Sequence, residues 1–110
     1  MATWADDQER VQLAFRSIGA VLDELPSLAN DWPTISRDEQ LAWSHEWDNE
    51  MAKLRRLAEA DAAGRLDSPQ QQRFRTLAER TARALTLAEQ IDLLPPDDRV
   101  LAAGRPQLSA

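Results

Sequence analysis

The sequence of 110 residues contains no cysteine. Disulfides, zinc sites built on thiolates and cysteine nucleophiles are therefore excluded, and a reducing compartment suits the chain. There is a single histidine, His45, so only one residue could act as the histidine base of a nucleophile–base pair. The three glycines are isolated from one another, which excludes a glycine-rich phosphate-binding loop. Gly19 lies inside a predicted helix, where it permits close approach of another helix.

Long apolar runs are also lacking. No stretch approaches the roughly 18 apolar residues that a membrane helix needs. The first ten residues, MATWADDQER, have neither the basic nor the apolar region of a secretory signal. We therefore expect a soluble chain that is not exported and that resides in the cytoplasm. Runs that alternate β-branched or aromatic residues with polar ones are lacking too, which predicts an all-α fold class.

What the chain does have is apolar residues at helical spacing in three segments. Its composition, 43% hydrophobic and 29% charged, is that of a globular protein. A length of 110 residues leaves room for one core. We predict a single domain over 1–110, with three long helices and a short C-terminal turn or helix, at about 4–25, 37–63, 69–94 and 97–103.

Capping signals define the ends of the first two helices. Thr3 begins the first helix, and Pro26 is expected to end it. Ser36 and Glu39 form the capping-box pattern SRDE, which predicts the start of the second helix. Gly64 supplies the left-handed residue that ends it.

The third helix has an equally clear start. Ser68 is the predicted cap, Pro69 fits the first turn, and Gln71 completes a second capping box. Because only 64–67 separates the second helix from the third, the two should form a long antiparallel hairpin. With the N-terminal helix packed along it, the hairpin becomes a three-helix bundle, or by dimerisation a four-helix or larger core.

The stretch LAWSHEWDNE, residues 41–50, places the one histidine between two tryptophans and three acids. At about 100° per residue, Trp43 and Trp47 fall on the buried stripe of the second helix, whereas His45 falls on the opposite face. His45 with Asp48 or Asp38 supplies two ligands, and two ligands do not hold a metal. We therefore predict an exposed histidine, no metal and no cofactor.

Two acids of the second helix fall near its core-facing side, where a carboxylate is costly unless it is paired. The hairpin register predicts ion pairs of Glu50 with Arg80 or Arg83, and of Asp61 with Arg73. A pair of catalytic carboxylates would need a cleft that this short chain has little room to form. We predict no catalytic residue and no enzymatic activity.

The chain has more apolar surface than one small bundle can bury. The candidate contact residues are Trp32 in the connector and Leu87 and Leu94 at the edge of the third helix, because apolar patches mark contact surfaces. We expect a small protein–protein interaction module, an adaptor, regulator or accessory subunit, whose partner is another protein or a second copy of itself. The alternative is that the connector and tail cover this surface within one chain.

Two further functions stay open. The arginines of the third helix are a candidate nucleic-acid contact, although the net charge of −6 opposes it. The acidic first half of the chain is a candidate charge mimic, in which Asp6, Asp7 and Glu9 would contribute to an inhibitory surface.

Overall fold

The computed structural model describes residues 8–104, and this part of the chain contains four α-helices and no strand. The helices are α1 (Gln8–Asp31), α2 (Arg37–Ala62), α3 (Ser68–Gln90) and α4 (Asp98–Gly104), and a 3-10 turn at Trp32–Thr34 joins α1 to α2. The predicted all-α fold class is confirmed. The predicted cap at Thr3 lies outside the described residues.

Helix α1 continues six residues past its predicted end, through Pro26 to Asp31. An interior proline costs about 3 kcal/mol, because it removes one hydrogen bond and its ring crowds the preceding turn. Pro26 is exposed, so the disturbed turn faces solvent. Leu25 and Leu28 are both buried, and burying each such side chain stabilises by about 1.5–3 kcal/mol. The core contacts of the last turns therefore offset the proline, and the predicted end at residue 25 is wrong.

Helix α2 begins and ends on the signals that the sequence carries. The Ser36 hydroxyl accepts a hydrogen bond from the Glu39 N–H at 3.2 Å, which caps the first turn. At the other end Gly64 has a φ of 71°. The Arg65 N–H donates to the Ala60 carbonyl at 2.9 Å, the bond that defines a Schellman C-cap.

Helix α3 begins one residue earlier than predicted. Asp67, not Ser68, is the cap: its carboxylate accepts from the Gln70 N–H, and the Gln70 side chain accepts from the Asp67 N–H, both at 2.9 Å. Pro69 lies in the first turn as expected. The capping box is therefore real but is made by the pair one position upstream.

Helix α3 ends at Gln90, four residues before the predicted end. Asp92 has a φ of 59°, the left-handed conformation usually taken by glycine. The Leu93 N–H donates to the Ala88 carbonyl at 2.9 Å. The end of α3 is thus a second Schellman cap with aspartate in the glycine position.

Helix α1 is the element that joins the bundle. It packs against both α2 and α3, whereas α2 and α3 contact each other at few positions. The N-terminal end of α1 lies beside the start of α3, where Gln70 donates to the Gln8 side chain at 2.7 Å. Helix α4 packs on α3 and also contacts α2. No helix within residues 8–104 has the length and hydropathy that spanning a bilayer requires.

Among the three glycines, Gly104 has the most crowded surroundings. A Cβ built on this buried residue would clash with the backbone carbonyl of Ala78. At Gly19, where close approach is expected from the sequence, the nearest atom to a Cβ would be Arg80 Nη1 at 3.8 Å. The glycine that permits tight helix packing is therefore in α4 and not in α1.

Candidate functional site

Trp47 and His45 of α2 lie as predicted, whereas Trp43 is less buried than its place on the predicted buried stripe implies. Trp47 is fully buried, Trp43 is half-buried against the core, and His45 is exposed on the other side of the helix. The Trp47 indole donates to the carbonyl of Leu94 at 2.7 Å, which ties α2 to the segment after α3. Nowhere in residues 8–104 do three side chains of the metal-binding types cluster.

Glu50 is buried, with 2% of its surface exposed, and it has partners other than those predicted. Its carboxylate accepts a hydrogen bond from the Ser17 hydroxyl of α1 at 2.6 Å and pairs with Lys53 at 2.7 Å. The predicted partner Arg80 instead pairs with Asp23 of α1 at 2.5 Å, and Arg83 is exposed.

The predicted pair of Asp61 and Arg73 is likewise replaced by contacts to α1. The Arg73 guanidinium lies 4.5 Å from the centre of the Phe15 ring and donates to the Gln12 side chain. Asp61 is half-buried near the end of α2. These pairings were predicted across a directly packed hairpin, and they fail because α1 is the neighbour that α2 and α3 share.

Ser17, Glu50 and Lys53 form a closed polar network at the edge of the core. Lys53 Nζ also lies 3.3 Å from the Ser17 hydroxyl oxygen, and 39% of the lysine side chain is exposed. The Glu50 carboxylate accepts from both the Ser17 hydroxyl and the Lys53 ammonium, so its buried charge is satisfied by these two partners. The network is well suited to holding α1 in register on α2.

A groove runs between α1 and α2 beside this network. Because Ser17 lies beside Glu50 whereas Glu24 lies beside Trp43, the two helices run antiparallel. The groove has apolar walls with two carboxylates, and its lining residues are Ser17, Ala20, Val21, Glu24, Ala42, Trp43 and Glu46. The sequence pattern did not reveal it, because it depends on which helices are neighbours. We call it the α1/α2 groove.

The two acids of the α1/α2 groove are exposed, one on each helix. Within residues 8–104 neither Glu24 nor Glu46 forms an ion pair. Between residues 23 and 50 the chain has eight acidic side chains and one arginine, Arg37. Of these acids, Glu50 and Asp23 are neutralised by internal pairs. The groove therefore opens on a strongly negative part of the surface.

A second groove, between α1 and α3, differs in charge. Its lining residues are Phe15, Gly19, Gln72, Arg73, Thr76, Leu77 and Arg80. Both of its arginines already contact α1, one at Gln12 and Phe15 and the other at Asp23. Arg80 is thus paired with an acid of the same chain, whereas Arg73 is exposed and contacts only neutral groups of α1.

The predicted contact residues differ in how far they are exposed. Leu94 is 64% exposed, whereas Trp32 and Leu87 are half-buried and pack against the core. Two other leucines are equally open, Leu13 at 55% and Leu41 at 51% exposure. The sequence did not suggest these two leucines as contact residues, because helical spacing alone does not show that they remain exposed in the bundle.

Comparisons with protein families, curated proteins and solved structures gave no match.

Proposed function

We propose that this chain is a non-catalytic protein-binding module, an adaptor, regulator or accessory subunit of the cytoplasm, and that it binds its partner in the α1/α2 groove. The observation that supports this most is the half-buried indole of Trp43, open to the groove beside Glu24 and Glu46, neither of which forms an ion pair within residues 8–104. Tryptophans in apolar depressions with polar rims are typical anchors of protein interfaces.

The electrostatics favour this function over the nucleic-acid alternative. A phosphate backbone requires several free cationic side chains on one face. Arg73 and Arg80 are turned toward α1, and the α1/α2 groove is acidic. The polar network of Ser17, Glu50 and Lys53 does not favour catalysis either. It contains no histidine, because His45 lies on the opposite side of α2 from the core.

Blocking the groove tests the proposal. Ala20 and Ala42 are exposed at the groove, and glutamine at both positions adds bulk without changing charge and lowers helix propensity only slightly. The tagged chain, the double variant Ala20→Gln/Ala42→Gln and the control Ala62→Gln are used to recover partners from the native host, with quantitative mass spectrometry.

We expect one partner to be recovered by the native chain and by the control, and to be lost with the double variant. Light scattering after size-exclusion chromatography shows whether that partner is a second copy of the chain. Equal recovery of every bound protein by all three chains would rule out the groove as the binding surface.

A further inference from the structure

We infer that the occupant of the α1/α2 groove is a cationic amphipathic helix of a partner protein. The inference rests on the proposed function, because it specifies the chemistry of the partner at the same groove. It follows from the shape of the groove, from the acid on each wall that has no ion pair in the described part of the chain, and from the charge of the surrounding surface.

The shape of the groove suits a helix. Two antiparallel helices form its walls, and small side chains, Ala20 and Ala42, are exposed along it. Small residues allow a third helix to approach closely, and the apolar surfaces of Val21 and Trp43 can receive its apolar stripe. Such a stripe has apolar residues at spacings of three and four.

The charge of the groove specifies what flanks that stripe. Glu24 is on one wall and Glu46 on the other, so lysines or arginines on both sides of the incoming apolar stripe would each meet a carboxylate. The aliphatic part of a lysine side chain beside the Trp43 indole adds apolar contact, and its ammonium group is attracted to the face of the ring by a cation–π interaction. An acidic helix would place like charges together at both walls.

A second copy of the chain fits the groove less well than a cationic partner does. The chain carries a net charge of −6, so two copies repel each other. Its own most basic helix, α3, has two arginines committed to α1, and the remaining exposed ones, Arg75 and Arg83, flank Glu79. A second copy is therefore repelled as a whole and offers the groove less positive charge than a lysine-rich or arginine-rich helix does.

The experiment uses two synthetic helical peptides of about 18 residues, roughly 27 Å long, with the same leucine stripe. One has lysine at its polar positions and the other has glutamate. Each is titrated into the full chain by calorimetry at low and at high salt. The variant is Glu24→Gln/Glu46→Gln. The control Glu79→Gln/Asp98→Asn makes the same charge change at exposed positions outside the groove.

We expect the lysine peptide to bind at least about tenfold more tightly than the glutamate peptide, a difference of about 1.4 kcal/mol. The Glu24→Gln/Glu46→Gln chain should lose most of that preference, the control should keep it, and high salt should weaken it. Equal affinity for the two peptides, no binding of the lysine peptide, or equal losses in variant and control would each overturn the inference.

The outcomes separate the inference from the proposed function. If a host partner is lost on blocking Ala20 and Ala42 but its binding is insensitive to salt and to the two glutamates, the groove binds protein and the cationic helix is wrong. If the native chain dimerises and Glu24→Gln/Glu46→Gln does not, the occupant is a second copy and the inference is again overturned.

Discussion

Position 50 has a carboxylate where the helical pattern of α2 would place an apolar side chain. Desolvating Glu50 is costly, and two contacts offset that cost: the Lys53 ammonium and the Ser17 hydroxyl, which comes from another helix. Because Ser17 also lines the α1/α2 groove, this acid fixes one wall of the groove relative to the other. Stability and the candidate site are therefore linked at a single residue.

We expect Glu50→Ala to lower the free energy of unfolding by about 2–4 kcal/mol, because it opens a cavity and removes the short hydrogen bond between α1 and α2, leaving the Ser17 hydroxyl only the Ala14 carbonyl at 3.3 Å. The loss is no larger because the Lys53 ammonium, which loses its carboxylate partner, can move into solvent and is not left buried and unpaired. Urea unfolding followed by circular dichroism measures it. Glu59→Ala is the control, since Glu59 makes exposed ion pairs at 3.8 Å with Arg55 and Arg99. That control should change stability by less than about 1 kcal/mol, and equal losses in the two variants would contradict the role of Glu50.

The glycines of α1 and α4 should respond to alanine in opposite directions. Gly104→Ala places a methyl group against the backbone of Ala78, which cannot move aside easily, and should cost about 1–3 kcal/mol. Gly19→Ala meets only the end of the Arg80 side chain and should stabilise α1 by about 0.5–1 kcal/mol. Thermal unfolding of both variants measures the two changes. A loss of stability in Gly19→Ala would contradict the open space that the structure shows around Gly19.

At the scale of the helix, α2 and α3 end in the same hydrogen-bond pattern with different residues at the left-handed position. Gly64 takes that conformation without steric cost, whereas Asp92 has a Cβ that opposes it. Two features of the turn offset this steric cost at Asp92. The turn buries Ile91 and Leu93, and it positions the Leu94 carbonyl to accept a hydrogen bond from the Trp47 indole.

Substitutions at Asp92 should reveal this cost. Asp92→Gly should be at least as stable as the native chain, with a gain of up to about 1 kcal/mol, because glycine relieves the backbone strain. Asp92→Val should lose about 1–3 kcal/mol, since a β-branched side chain tolerates positive φ poorly. Chemical unfolding of the two variants in parallel gives the difference. Equal stability of the valine and glycine variants would show that the turn does not need the left-handed conformation.

These helix ends show what local sequence can and cannot predict. Ser36 and Gly64 act within one turn of the chain, so their capping roles follow from the sequence alone. The end of α3 does not, because apolar residues continue the helical pattern past Asp92. The passage of α1 through Pro26 depends on burial of Leu28, which is a property of the packed bundle.

The candidate site was harder to predict for the same reason. Helical spacing correctly placed Trp47 inside and His45 outside, since both follow from one helix. The partners of Glu50 and the existence of the α1/α2 groove depend on which helix packs next to α2. Amphipathic patterns show that a face is buried without showing which neighbour buries it.

At the scale of the whole molecule, α1 is the helix on which the bundle depends. It contributes eight buried residues, among them Phe15, Ile18 and Leu25. Since burying one large apolar side chain stabilises by about 1.5–3 kcal/mol, the burial lost with α1 is at least comparable to the roughly 5–15 kcal/mol of net stability that keeps a small domain folded. The few contacts between α2 and α3 cannot replace it.

We therefore expect a fragment of residues 36–110 to be unfolded or loosely collapsed, even though it contains the complete predicted hairpin. Its far-ultraviolet circular dichroism should lack a cooperative thermal transition, and its amide proton signals should be poorly dispersed. Adding a synthetic peptide of residues 1–35 should restore both, with the full chain as the reference. A fragment that unfolds cooperatively by itself would show instead that α2, α3 and α4 form a stable core together, and that the bundle does not depend on α1.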